Sequence, residues 1–171
     1  EGDAVDHETF NQAIDLHADM VARLLLLRCR QPEDAGDCFQ SVFLKLLTCP
    51  KPFQDQEHIK AWLIRTAIHE AASLNRQFWK RKVVLLGDSP YPDAAVPEDS
   101  DARQLLDELR TLPEPQREVL YLYYYEGHSV DELAALLGVR PGTVKSRLSR
   151  ARAALKQKLE TEGYSHEMGR I

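Results

Sequence analysis

Apolar positions in the first half of the chain recur at helical spacing. Phe10, Ile14, His17 and Val21 fall on one face and lead into the apolar run from Leu24 to Leu27. Pro32-Glu33-Asp34 opens a second segment in which Ala35, Phe39, Val42, Phe43 and Leu46 return every three or four residues, until Cys49-Pro50-Lys51-Pro52 stops it. Trp62, Leu63, Ala67, Ala71 and Leu74 carry a third amphipathic stripe toward Trp79, with Trp62 expected in the core. Steps of three and four residues bring side chains to one face of an α-helix, and neither strict alternation nor a hairpin signal interrupts them. The amino-terminal half is therefore predicted to be all helical.

Residues 87–101, GDSPYPDAAVPEDSD, combine three prolines with acids and small residues, a composition that resists helix and sheet alike. They predict an acidic, flexible linker between a domain over 1–86 and another over 102–171. Beyond it, Ala102 to Leu112 and Pro115 to Tyr125 read as helices, the second ending at Gly127. Ser129-Val130-Asp131-Glu132 fits a capping box and starts a short helix, Val130 to Leu137. Gly138 can adopt the left-handed conformation that ends it, and Pro141 suits the first turn of the next helix, where its missing N–H has no intrahelical partner. The expected fold is all-α, two small helical domains, the second containing a helix-turn-helix.

In a helix-turn-helix the first helix braces the second, whose amino-terminal part enters the major groove. The second helix here is asymmetric. Val144, Leu148, Ala151, Leu155 and Leu159 share an apolar face, while Thr143, Ser146, Arg147 and Arg150 lie on or beside the opposite one. Arginine can bond guanine through two donors, and serine or threonine can meet base edges or phosphates, so these four are candidates for direct readout. Lys145, Arg152 and Lys156 are assigned to the phosphate backbone or solvent. A cationic helix by itself is commonly a solvated face. The capping box, the glycine turn and the absence of acids together favour DNA.

Charge sharpens this reading. The net charge of −5 opposes binding to a polyanion, but the charges are segregated. Residues 1–19 contain six acids and no lysine or arginine, and 88–101 are also purely acidic. From Arg140 to Lys158 there are seven cations and no acid, and Arg76, Lys80, Arg81 and Lys82 form a second cluster. Two basic surfaces on an acidic protein are expected.

Other classes find little support. Cys29, Cys38 and Cys49 form no CxxC and read as buried thiols rather than a disulfide or zinc framework. His69-Glu70 lacks the second histidine of a zinc protease, since that position is Ser73, and no phosphate loop or nucleophile elbow occurs. Neither enzyme, metal nor cofactor is expected. No leader-like start and no run of about 20 apolar residues suggests export or membrane insertion, so the expected location is the cytoplasm.

At this level of detail the residues resemble a known family. Leu112-Pro113-Glu114-Pro115-Gln116-Arg117-Glu118-Val119-Leu120, then Ser129 to Ala134, then Gly142-Thr143-Val144-Lys145-Ser146-Arg147-Leu148-Ser149-Arg150-Ala151-Arg152, resemble region 4 of sigma-70-type factors, in the compact extracytoplasmic-function (ECF) group. The resemblance implies contacts with a minus-thirty-five promoter element through Arg140, Thr143, Lys145, Ser146, Arg147 and Arg150, and with the polymerase beta flap. The segment from Asp34 to Leu46 is similar to region 2.2, which implies that Asp37, Gln40 and Lys45 bind the beta-prime clamp helices. The segment from Trp62 to Lys82 is similar to regions 2.3 and 2.4, implying minus-ten contacts by Arg65, His69, Arg76, Lys80 and Arg81. In that family the chain would direct core RNA polymerase to promoters, act as a monomer when free and answer to an anti-sigma factor. The rival reading is a helix-turn-helix regulator with an amino-terminal sensing or dimerisation domain, which would bind paired half-sites as a dimer.

Overall fold

In a computed structural model the chain is described over residues 5–50, 52–81 and 100–161, with the side chains of 78–81, 100–102 and 159 excepted. Seven α-helices occupy these residues: α1 (His7–Arg28), α2 (Pro32–Leu47), α3 (Gln56–Arg81), α4 (Ser100–Arg110), α5 (Glu114–Leu120), α6 (Val130–Leu137) and α7 (Pro141–Thr161). A π-helical turn over Tyr121–Tyr125 follows α5. No strand occurs among the described residues, in agreement with the all-α expectation. The chain divides into two compact units, Glu1–Arg103 and Gln104–Ile171.

In the first unit α1, α2 and α3 each pack on the other two. Asp6 starts α1 by accepting from the Thr9 N–H at 2.8 Å, and α1 stops at Cys29, whose backbone is extended ahead of Pro32. An extended residue before the Pro32 helix lets the chain reverse. Leu24, Leu25 and Leu27 of α1, Val42 and Leu46 of α2, and Leu63, Ile64, Ala67 and Ala71 of α3 form the core. The Asn75 side chain donates to the Arg28 carbonyl at 3.2 Å, supplying a partner for one of the carbonyls that a helix end leaves without one. Asp55 caps α3 through the His58 N–H at 2.7 Å.

Trp62 departs from expectation, being half-buried rather than core. The buried arc of α3 is centred on Leu63 and Ala67, and Trp62 falls well off it at about 100° per residue. Its ring instead meets Phe53 edge-on, with centroids 5.8 Å apart.

In the second unit α5 and α6 both pack on α7, burying Val119, Leu122, Leu133, Val144, Leu148 and Ala151. The expected capping box is formed: Glu132 N–H donates to Ser129 Oγ at 3.2 Å and Ser129 N–H to the Glu132 carboxylate at 2.7 Å. Gly138 ends α6 at φ 65°, a conformation that disfavours any residue with a Cβ. Helix α4 starts at Ser100, two residues before the expected boundary, consistent with the preference of serine and aspartate for helix starts. Apart from residues 100 and 101, the expected linker lies outside the described residues.

Candidate nucleic-acid and polymerase interfaces

The capped α6 and the Gly138 turn fix where α7 begins, and the apolar face of α7 fixes how it is rolled. With Val144, Leu148 and Ala151 buried, Arg140, Lys145 and Arg150 are exposed, and Thr143, Ser146 and Arg147 are half-buried. Among the described residues no carboxylate lies within salt-bridge distance of Arg140, Lys145, Arg147 or Arg150. The amino-terminal half of α7 thus presents uncompensated donors, as major-groove readout requires. All six residues expected at this site share the surface around the first three turns of one helix.

Three cations of the basic run meet other side chains of the protein. Lys158 donates to Glu108 of α4 at 2.6 Å, and Lys156 lies 3.9 Å from Glu160. Arg152 Nε donates to the Tyr124 hydroxyl at 2.6 Å, and its guanidinium lies 5.3 Å from the Tyr124 ring centroid and 5.9 Å from that of Tyr123. The tyrosine-rich run Tyr121 to Tyr125 was the sequence signal for this neighbour, but its position beside α7 depends on tertiary packing.

On α3, Arg65, His69 and Arg76 are all exposed and fall within one narrow stripe opposite the buried arc. Helical register carries the Lys80 position along the same stripe and places Arg81 about 100° away. The side chains of Lys80 and Arg81 lie outside the described residues. Trp62 borders this stripe, with Phe53 and His58 beside it, so sequence reasoning assigned to the core a ring that the surface can use.

On α2, Asp37 and Gln40 are exposed, and Leu44 between them and the helix end is 62% exposed. Ser41 and Lys45 turn toward α3 instead. Ser41 Oγ donates to Glu70 at 2.7 Å, and Lys45 forms an ion pair with the same carboxylate. Burial pushes the Glu70 carboxyl upward, but the hydrogen bonds from Lys45 and Ser41 outweigh it and hold the group below its usual value. Lys45 therefore borders the Asp37–Gln40–Leu44 surface while being tied internally.

Comparison with protein families matches "Sigma-70 region 2" over residues 13–81 and "Sigma-70, region 4" over residues 102–155. The chain belongs to the sigma-70 family, in its ECF group. It is 35% identical over 136 residues to the RNA polymerase sigma-E factor of Streptomyces antibioticus, covering 76% of this chain and 73% of that one. It is 33% identical over 159 residues to the ECF RNA polymerase sigma factor SigM of Mycobacterium tuberculosis, covering 91% and 80%. Among solved structures, the sigma factor RpoE in complex with the anti-sigma factor NepR from Bartonella quintana is similar at a TM-score of 0.72 and 25% identity, covering 90% of this chain and 98% of that one. The region 2 match covers the half that a helix-turn-helix regulator would devote to sensing, which removes the rival reading's distinguishing feature.

Proposed function

We propose that this sigma factor docks on core RNA polymerase and places two separate DNA surfaces on a promoter, acting by binding and not by catalysis. The observation that carries the reading is the amino-terminal half of α7, whose exposed Arg140, Lys145 and Arg150 and half-buried Arg147 have no carboxylate within salt-bridge distance among the described residues and stand beside a capped bracing helix. Arg140, Thr143, Lys145, Ser146, Arg147 and Arg150 would contact the minus-thirty-five element, and the same domain would meet the beta flap.

In the first unit the stripe of Arg65, His69 and Arg76, continued by Lys80, suits the phosphates of the opened minus-ten element, with Arg81 assigned to the same element from off the stripe. Trp62 at its edge offers a ring on which an unstacked base can rest. Asp37, Gln40 and Lys45 are assigned to the beta-prime clamp helices, with Leu44 as the apolar centre of that contact. Domains over 1–86 and 102–171, joined by the linker 87–101, would let the two DNA surfaces reach elements at a fixed separation on polymerase. The Bartonella quintana relative was solved with an anti-sigma factor, and a partner of that kind would cover the same basic surfaces here. Free of partners the protein is proposed to be a cytoplasmic monomer. Among the described residues no helix is long and apolar enough to cross a membrane.

Run-off transcription with core polymerase tests the reading. Promoter-dependent transcripts should require this protein, and a complete set of reactions in which it adds no initiation at any template would refute the assignment.

A further inference from the structure

Arg152 is exposed, yet its side chain is already held in place. Its Nε–H is used by the Tyr124 hydroxyl, and the rings of Tyr124 and Tyr123 lie against its guanidinium. This arrangement fixes the long side chain without neutralising it, because an aromatic face attracts a cation but leaves its charge in place. The remaining guanidinium N–H groups have no hydrogen-bond partner among the described residues. The Tyr124 hydroxyl accepts from Arg152 and so keeps its own proton to donate. Two kinds of donor therefore converge beside a full positive charge, with no carboxylate within salt-bridge distance of Arg152 among the described residues.

The register of α7 gives this pair company. Lys145, Ser149, Arg152 and Lys156 follow at steps of four, three and four residues, one stripe on the flank away from Arg147 and Arg150. Arg152 also lies eleven residues beyond Pro141, about 16 Å along the helix axis from its start. A helix that inserts its first turns among base edges carries a group at that distance toward the groove's phosphate wall. The tyrosines reach it because a π-helical turn, with the Glu126 N–H donating to the Tyr121 carbonyl at 3.3 Å, follows α5 at this point, leaving Tyr124 and Tyr125 43% and 44% exposed.

We propose that Tyr124 and Arg152 form a preset clamp for a phosphate of the duplex DNA backbone, in line with Lys145 and Lys156. Arg152 supplies the charge and the donors; Tyr124 is the positioning residue. The proposal rests on the reading of α7 as the groove-binding helix, and it adds a backbone site outside the readout residues.

The test measures affinity of the full-length chain for a random-sequence duplex across a salt series, and separately for core RNA polymerase. Arg152→Ala should weaken duplex binding about tenfold, since a charge-assisted hydrogen bond to phosphate is lost. It should also lower the slope of log affinity against log salt by about 0.9, the value for one phosphate contact. Arg152→Lys should keep the slope and lose affinity, because the ammonium lacks the planar fork. Tyr124→Phe, at an exposed site that tolerates the change, should lose about threefold with the slope intact, as expected when Arg152 keeps its charge and loses the hydrogen bond that positions it. An unchanged salt slope in Arg152→Ala overturns the clamp, as does a loss confined to core polymerase, which would make this a protein-docking surface. Wild-type affinity in Tyr124→Phe overturns the positioning role. Arg147→Ala separates the two claims: if it weakens duplex binding while Arg152→Ala does not, only the clamp fails; if wild type does not bind duplex at all, the groove reading fails and the clamp with it.

Discussion

Ser41 Oγ donates a 2.7 Å hydrogen bond to Glu70, joining the polar side of α2 to α3 through a carboxylate that also pairs with Lys45. This contact lies between the α2 surface proposed for polymerase and the α3 stripe proposed for DNA. Glu70→Ala should cost about 1–2 kcal/mol in denaturant unfolding, toward the lower figure because Lys45 is half exposed. An unchanged unfolding midpoint would show that the bridge contributes nothing.

Stability should fall in two steps on acidification. His17 is buried between α1 and α3, and burial, then the nearby Lys60, pulls its pKa below 6.5, with Gln56 and Glu57 acting weakly against them. The unfolded chain then binds a proton that the folded one refuses, so stability is full above pH 6.5 and declines below it. Glu70 is depressed below 4.5, so its contribution is present above that pH and is lost as pH falls through the folded value. Urea titrations across pH should show His17→Gln flattening the upper decline and Glu70→Gln the lower one.

The helix-turn-helix depends on two local devices. Ser129→Ala removes one half of the capping box and should cost about 1 kcal/mol. Gly138→Ala meets no neighbour within 4 Å, so its cost, also about 1 kcal/mol, comes from φ 65° alone. Thermal melting of the two variants checks both, and a Gly138→Asn variant should lose less than the alanine one.

Leu44 is 62% exposed on a surface otherwise made by Asp37 and Gln40. Leu44→Ala should weaken core-polymerase binding by about 1–2 kcal/mol, as for an anchor at the centre of an interface, and leave unfolding stability within about 0.5 kcal/mol. Equal losses in both measurements would place Leu44 in the fold and not in the interface.

Arg147→Ala and Arg150→Ala should each cost about 1–3 kcal/mol of promoter affinity and relax specificity at one position of the minus-thirty-five element. Selection of bound sequences from a random pool by the variant holoenzymes would reveal it. A double variant with unaltered sequence preference would remove both from base readout.

Much of this protein was written in local sequence. Apolar spacing, the Ser129–Glu132 box, Gly138 and Pro141 placed α1, α2, α3, α6 and α7, because periodicity and capping act over four residues or fewer and need no tertiary partner. The roll of α7, and with it the exposure of Arg140 and Arg150, also followed from the apolar stripe. What the sequence could not determine was which polar groups meet across helices. Lys45 belongs with Asp37 and Gln40 by pattern, but α3 brings Glu70 to it. Trp62 reads as core until the phase of its neighbours turns it to the surface beside Phe53. Arg152 reads as a cation for the phosphate backbone or solvent until packing brings Tyr124 to its Nε. The Ser41–Glu70, Lys45–Glu70 and Tyr124–Arg152 pairings join residues 25 to 29 positions apart, and only packing of the apolar faces decides which side chains meet.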